Sequence, residues 1–215
     1  FSLNTSQRTS IYPGYLFLTG FDARHHIPFL GKSSFSNRAY SYISFGRERI
    51  LQHVGGTENW LIPKYATTNP LLTSGEYVYS SLSTEVRGHE YGARKAGSVF
   101  GFSSEIRIPF FQYLLQQNWK NSLLKNFLLI GFFDAAVVWD GFLPEITKSS
   151  SATYHAENPV VKIDLQYNTN PWITGTGLGL RTSVLGYYVR LDYAWKIESK
   201  KIIDPKWIFS LGLDF

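Results

Sequence analysis

The chain has 215 residues, with 6 Trp, 14 Tyr and 16 Phe, and charged side chains make up only 17% of it. So many aromatics with so little charge exclude intrinsic disorder. A mean hydropathy of −0.13, with no apolar run longer than Phe127–Phe133, argues against membrane-spanning helices, which need about 20 apolar residues.

The net charge of +5 permits contact with anionic partners, but the basic residues are dispersed. The densest group, Lys196, Lys200, Lys201 and Lys206, is interleaved with Glu198 and Asp204. It reads as a solvated loop, and no nucleic-acid partner is expected. The absence of Cys excludes disulfides, a thiolate nucleophile and a Cys-ligated metal. With no Met and no leader, the chain is expected to be part of a longer one.

In chain order, Phe1–Arg8 is a candidate strand. Tyr15–Pro28 follows, where Tyr15, Phe17, Thr19, Phe21 and Ala23 alternate with Leu16, Leu18, Gly20, Asp22 and Arg24. That is the period-two signature of a strand. His25 and His26 would face opposite sides of it, so they cannot chelate one metal together. Arg38–Arg49 is the next strand, and Leu51–Ser98 is a long connection rich in Gly, Ser and Thr. Val99–Pro109 sets Phe100, Phe102, Ile106 and Ile108 against Gly101, Ser103, Glu105 and Arg107. Gln112–Leu124 fits a short helix. Asn126–Asp140 is apolar on both faces except at Asp134, and Gly141–Pro171 is a second long connection.

Three strands complete the chain. Thr176–Val184 places Leu178, Leu180, Thr182 and Val184 opposite Gly177, Gly179, Arg181 and Ser183. A tight hairpin at Leu185-Gly186-Tyr187 leads to Tyr188–Trp195, with Val189, Leu191, Tyr193 and Trp195 on one side. Lys206–Phe215 ends the chain, with Trp207, Phe209, Leu211, Leu213 and Phe215 on one face.

These strands pair an aromatic face with a face of Gly, Ser and charges of both signs. Glycines cannot fill a core, whereas opposite charges can pair across a wet lumen. Membrane barrels turn the apolar side to lipid and join strands by alternately long and short connections. Tyr15, Trp139, Trp172, Tyr187, Tyr188, Trp195 and Trp207, near strand ends, fit interfacial girdles. The fold class expected is therefore all-β, an antiparallel transmembrane barrel. His89-Glu90 lacks the second His of a zinc motif, and Gly175, Gly177 and Gly179 lack dinucleotide-loop spacing. No enzyme site, cofactor or metal is expected.

Several segments, taken together, resemble the BamA-type superfamily of outer-membrane assembly and translocation barrels, which includes bacterial surface antigens. V-R-G-H at Val86, Arg87, Gly88 and His89 is similar to its loop-six motif, with His89 where Phe or Tyr is usual. The paired Gly55-Gly56 upstream, G-F-S-S-E-I-R-I-P, F-F-D-A-A-V-V-W-D and the terminal W-I-F-S-L-G-L-D-F follow in the family's order. The resemblance implies that the loop at 51–98 folds into the lumen and that Arg87 pairs with Glu105 and Asp134. It implies that Trp207, Phe209, Leu211, Leu213 and Phe215 form the C-terminal strand signal.

It also implies a barrel of about sixteen strands, more than this length can hold at roughly 9–11 spanning residues each. Residues 1–215 are thus expected to be the C-terminal part of one barrel in the bacterial (Gram-negative) outer membrane. The implied function is assistance to insertion of outer-membrane proteins. A protein-secretion conduit and a barrel anchoring a fused soluble domain are the alternatives. Implied partners are outer-membrane lipid, client outer-membrane or secreted proteins, and accessory lipoproteins.

Overall fold

The computed structural model describes residues 14–46, 49–67, 77–114, 126–144, 150–157, 162–198 and 201–213. Its strands are β1 (Leu16–Phe29), β2 (Ser33–Gly46), β3 (Arg49–Val54), β4 (Tyr77–Thr84), β5 (Arg94–Ala96), β6 (Ser98–Ile108), β7 (Leu128–Trp139), β8 (Ser150–Glu157), β9 (Lys162–Thr169), β10 (Trp172–Val184), β11 (Tyr187–Glu198) and β12 (Lys201–Leu213). One short helix, α1 (Phe110–Leu114), follows β6.

The protein is all-β. Its main sheet has seven strands in the order β1-β2-β6-β7-β10-β11-β12, antiparallel throughout and in chain order. The sheet is an open meander. Its first and last strands are not paired with each other among the described residues, and with seven strands they run in the same direction. Two excursions interrupt it and leave from the same end. The first, between β2 and β6, carries the small sheet β4-β3-β5; the second, between β7 and β10, is the hairpin β8-β9.

Turn chemistry fixes the short connections at the other end. Leu185 and Gly186 both have positive φ, 54° and 81°, which suits a two-residue hairpin loop between twisted strands. Between β1 and β2 the loop has three residues, Leu30-Gly31-Lys32, with positive φ at Leu30 and Gly31 (44° and 68°). The Tyr113 hydroxyl of α1 supports that turn through the Leu30 carbonyl and the Lys32 amide. Near the β11–β12 end, Asp204 takes φ 45° beside Pro205, and the pairing register shifts between Ala194 and Lys196. A bulge is where an edge strand accommodates a proline.

The sheet is inside-out relative to an ordinary half-buried sheet. Phe17, Phe21, Phe100, Phe102, Phe133, Leu178, Trp207 and Phe209 are exposed, while Asp134, Arg181 and Asp192 on the opposite face are buried. The first excursion covers that polar face and makes the core with it. Val54, Val86 and Ala96 of the excursion pack against Tyr40, Val99, Ala136, Val138 and Ile173 of the sheet. Trp60 packs against Ile130, Phe132, Ala194 and Ile208.

Some boundaries differ from the sequence reading. β2 begins at Ser33, not Arg38, because register with β1 carries the serine-rich start into the ladder, down to Phe29 opposite Ser33. β10 begins at Trp172, where pairing with Val137 extends it. The two stretches read as connections hold strands β3–β5 and β8–β9. Lys196–Lys206 is largely paired strand rather than solvated loop, since Lys201 lies opposite Glu198 and Lys206 opposite Ala194. Of Gln112–Leu124, only the part to Leu114 is described, as helix; Phe1–Arg8 and Phe215 lie outside the described residues.

Candidate functional site: a buried arginine beneath the first excursion

The inward positions of β6 and β7 are set by register. Ser103 lies opposite Asp134 and Glu105 opposite Phe132, so all four point to the polar face. Arg87 reaches them from the excursion and is 2% exposed. Its Nε and Nη2 each donate to Asp134 at 2.7 Å, a bidentate fork. Nη1 donates to Glu105 at 2.5 Å, and the backbone amide of Arg87 adds a 3.1 Å bond to Asp134. The Ser103 hydroxyl donates to Asp134 at 2.6 Å, and the guanidinium stacks over the Phe132 ring at 3.7 Å. The planar five-donor fork of Arg matches two carboxylates in a way Lys cannot. Burial disfavours the charge on Arg87, but the Asp134 and Glu105 carboxylates outweigh it and raise its pKa well above the ordinary arginine value.

Two glycines make this approach possible. A Cβ at Gly175 would run into the Arg87 carbonyl, so the strand must be bare where the loop crosses it. Gly88 takes φ +89°, and a Cβ there would meet the Trp195 carbonyl carbon and oxygen at 2.8 Å. Gly177 and Gly179 are likewise filled by Phe132 and by Asp192 with Arg181. The Gly175-x-Gly177-x-Gly179 run is therefore a docking track on the polar face.

Around this centre the charges form a chain. Glu105 also takes Arg107 at 2.8 Å, and Arg181 lies 4.0 Å from it. Arg181 pairs with Asp192, both buried. Arg190 meets Glu85 of the excursion at 3.4 Å, and Lys206 meets Glu90 at 3.1 Å. An adjoining polar cavity of about 390 Å³ is lined by residues including Arg24, His26, Arg38, Glu58 and Tyr188.

The structure thus brings Arg87, Glu105 and Asp134 together. Val86 sits in the core and pairs in an isolated bridge with Gly56. His89 is buried, and its Nε2 meets the Thr174 carbonyl at 2.8 Å. Burial pushes its pKa below the usual 6.5, which favours the neutral ring as donor to that carbonyl. Trp207, Phe209 and Leu211 lie exposed on one face of β12; Leu213 ends the strand. His25 and His26 face opposite sides of β1, opposite Asn37 and Ser36.

Two girdle assignments need correction. Tyr188 lines the polar cavity, and Trp139 is buried rather than open to the surface. Tyr188 sits two residues past the Leu185-Gly186 turn, which sets its parity to the inner face opposite Gly212. The sequence reading missed Arg181–Asp192 as a pair, although adjacency across a two-residue hairpin was legible. It also missed Glu85, Glu90 and Trp60, whose roles come from a loop path without periodicity.

Comparison of the chain with known protein families, curated proteins and solved structures finds no match. The geometry defines a class in its own terms: an open antiparallel sheet with an exposed aromatic face and a charged face locked under its own loop.

Proposed function

We propose that this chain is the C-terminal part of an outer-membrane β-barrel of the BamA type, which assists insertion of other barrel proteins. The observation carrying the membrane reading is the inverted burial of the sheet: large aromatics outside, ion pairs inside. In water such an apolar face is a liability; in lipid it is the required face. No described helix is long and apolar enough to span a membrane, which says nothing about a barrel. An all-antiparallel closed ring has an even number of strands. The described residues supply seven, so in this reading an odd number of further strands would complete it.

The insertion role rests on the motif order and on the Arg87 lock, whose loop occupies the polar face. An open secretion conduit would require that loop to leave. The membrane part is tested by bimane attached at Phe102→Cys, Leu178→Cys and Phe209→Cys in liposomes with brominated lipid. Quenching at these sites but not at Ser103→Cys is expected; quenching of neither set would refute the orientation. The insertion role is tested by depletion in cells, where unimpaired assembly of other outer-membrane barrels would remove it.

A further inference from the structure

The polar cavity beside Arg87, about 390 Å³, is far larger than the roughly 10–15 Å³ that one water needs. Its lining places it at the short-turn end of the sheet. Arg107 is the last residue but one of β6, Tyr188 and Arg190 follow the Gly186 turn, and Arg24 and His26 precede the turn after β1. Six arginines line it, Arg24, Arg38, Arg87, Arg107, Arg181 and Arg190, against the carboxylates Glu58, Glu85 and Glu105. Asp22, Asp134 and Asp192 pair with Arg38, Arg87 and Arg181 but are not part of the wall.

Two of these arginines are poorly matched. The Oε1 of Glu105 takes Arg87, so Arg107 sets both Nε and Nη2 on the single oxygen Oε2, at 3.0 and 2.8 Å. Arg190 meets Glu85 through Nη1 at 3.4 Å, and its Nε is buried with no hydrogen-bond partner among the described residues. The Arg190 side chain is only 17% exposed. A guanidinium so far withdrawn from water needs close oxygens on its fork. The Glu85 oxygen it meets already accepts the Glu58 amide at 2.8 Å.

We infer that this cavity is a binding site for a small water-borne phosphate dianion, inorganic or a phosphomonoester, held between Arg190 and Arg107 with Tyr188 and Arg24 on the same wall. A tetrahedral group with several charged oxygens engages two forks at once, which one carboxylate does not. The cavity lies on the charged face, opposite Phe102, Leu178 and Phe209, so a lipid headgroup would have to leave its leaflet to reach it. The site needs the charged face and its cover, and does not depend on the insertion role.

The test is calorimetric titration of inorganic phosphate into the full chain, in non-ionic detergent with chloride as the background anion. Saturable binding is expected. Arg190→Gln should weaken it about tenfold, the loss of a charge-assisted bond. The Arg24 side chain is exposed, so Arg24→Gln probes the site without touching the covered core, and should weaken binding about twofold. Lys201→Gln, on β12 and outside the cavity lining, should leave the affinity unchanged and so separates the site from net charge. Absence of saturable binding, an unchanged affinity in both arginine variants, an equal loss in Lys201→Gln, or displacement of phosphate by phosphatidic acid in the micelles would each overturn the inference. The lipid-quenching result above stands or falls separately.

Discussion

β1 and β7 belong to one sheet and share the alternating plan, yet they end in opposite environments. Every position of β1 from Leu16 to Phe29 is exposed. In β7, Ile130, Phe132, Asp134, Ala136 and Val138 are all buried on the inner face. The cover makes the difference: among the described residues the first excursion packs on β2, β6, β7 and β10–β12, while no position of β1 is buried. The same chemistry then has two energetic meanings. Asp22 pairs with Arg38 at 2.7 Å and with Arg24 at 3.2 Å near the open edge, with side chains 26%, 28% and 62% exposed. Arg87 and Asp134 pair at 2.7 Å with both side chains 2% exposed. An exposed pair competes with water and contributes little; a buried pair must stay complete, because either partner left alone is a stranded charge.

The sharpest way to break this contrast is Arg87→Ala. It strands Asp134 beneath the excursion and leaves Glu105 only Arg107 and Arg181, and we expect a loss of about 3–5 kcal/mol, read by denaturant unfolding and by new protease cuts within residues 77–96. Protease resistance equal to that of the unmodified protein would show the lock to be dispensable.

On the outer face, Phe102→Arg should cost about 2–4 kcal/mol in a bilayer at mid-depth, measured by reversible unfolding in liposomes. A change no larger than that at a water-exposed site would remove lipid from that face.

Gly175→Ala forces a methyl group into the Arg87 carbonyl. The expected cost is about 1–3 kcal/mol, with loop protease sensitivity rising while the strand ladder persists in the amide infrared band.

A smaller effect concerns pH. The pKa of His89 is lowered in the folded protein, by burial first, and that of His53 is lowered by burial and by Lys95. The unfolded chain therefore binds more protons as pH falls below about 6.5. Stability from these rings is fully present above the unfolded value and is lost as pH drops through the folded one. His89→Gln should flatten that acid limb of loop docking, followed by protease sensitivity between pH 7 and 5. The smallest change is expected at the open edge: Asp22→Asn should cost about 0–1 kcal/mol, seen as a marginal shift in the same unfolding curves.

Much of the fold was legible because strands write their faces at every second residue. Phe100 and Phe102 against Ser103 and Glu105, or Leu178 against Gly179 and Arg181, show their sides without any neighbour. The excursion was not legible in this way. Residues 49–96 carry β3, β4 and β5, but β3 pairs with β4 in parallel and with β5 over only three positions. Such short, shifted ladders leave no period to read. The hairpin β8-β9 was read as a connection, although its strands pair from Ser150–Thr169 to Glu157–Lys162. Its stretch Ser150–Glu157, S-S-A-T-Y-H-A-E, sets only Ala152, Tyr154 and Ala156 on one side, too weak an apolar alternation to announce a strand.

The sequence by itself determined which residues share a face, where the tight turn at Leu185-Gly186 falls, and that Arg87, Glu105 and Asp134 are of matching charge. Only the tertiary structure decided that the charged face is the covered one, that Gly175 and Gly88 are bare so that a backbone can cross them, and that Asn59–Leu61 rests on the edge of β12. The reason is physical. Alternation is a property of one strand, encoded residue by residue, whereas burial of a charge and occupancy of an edge depend on what a distant segment brings to it.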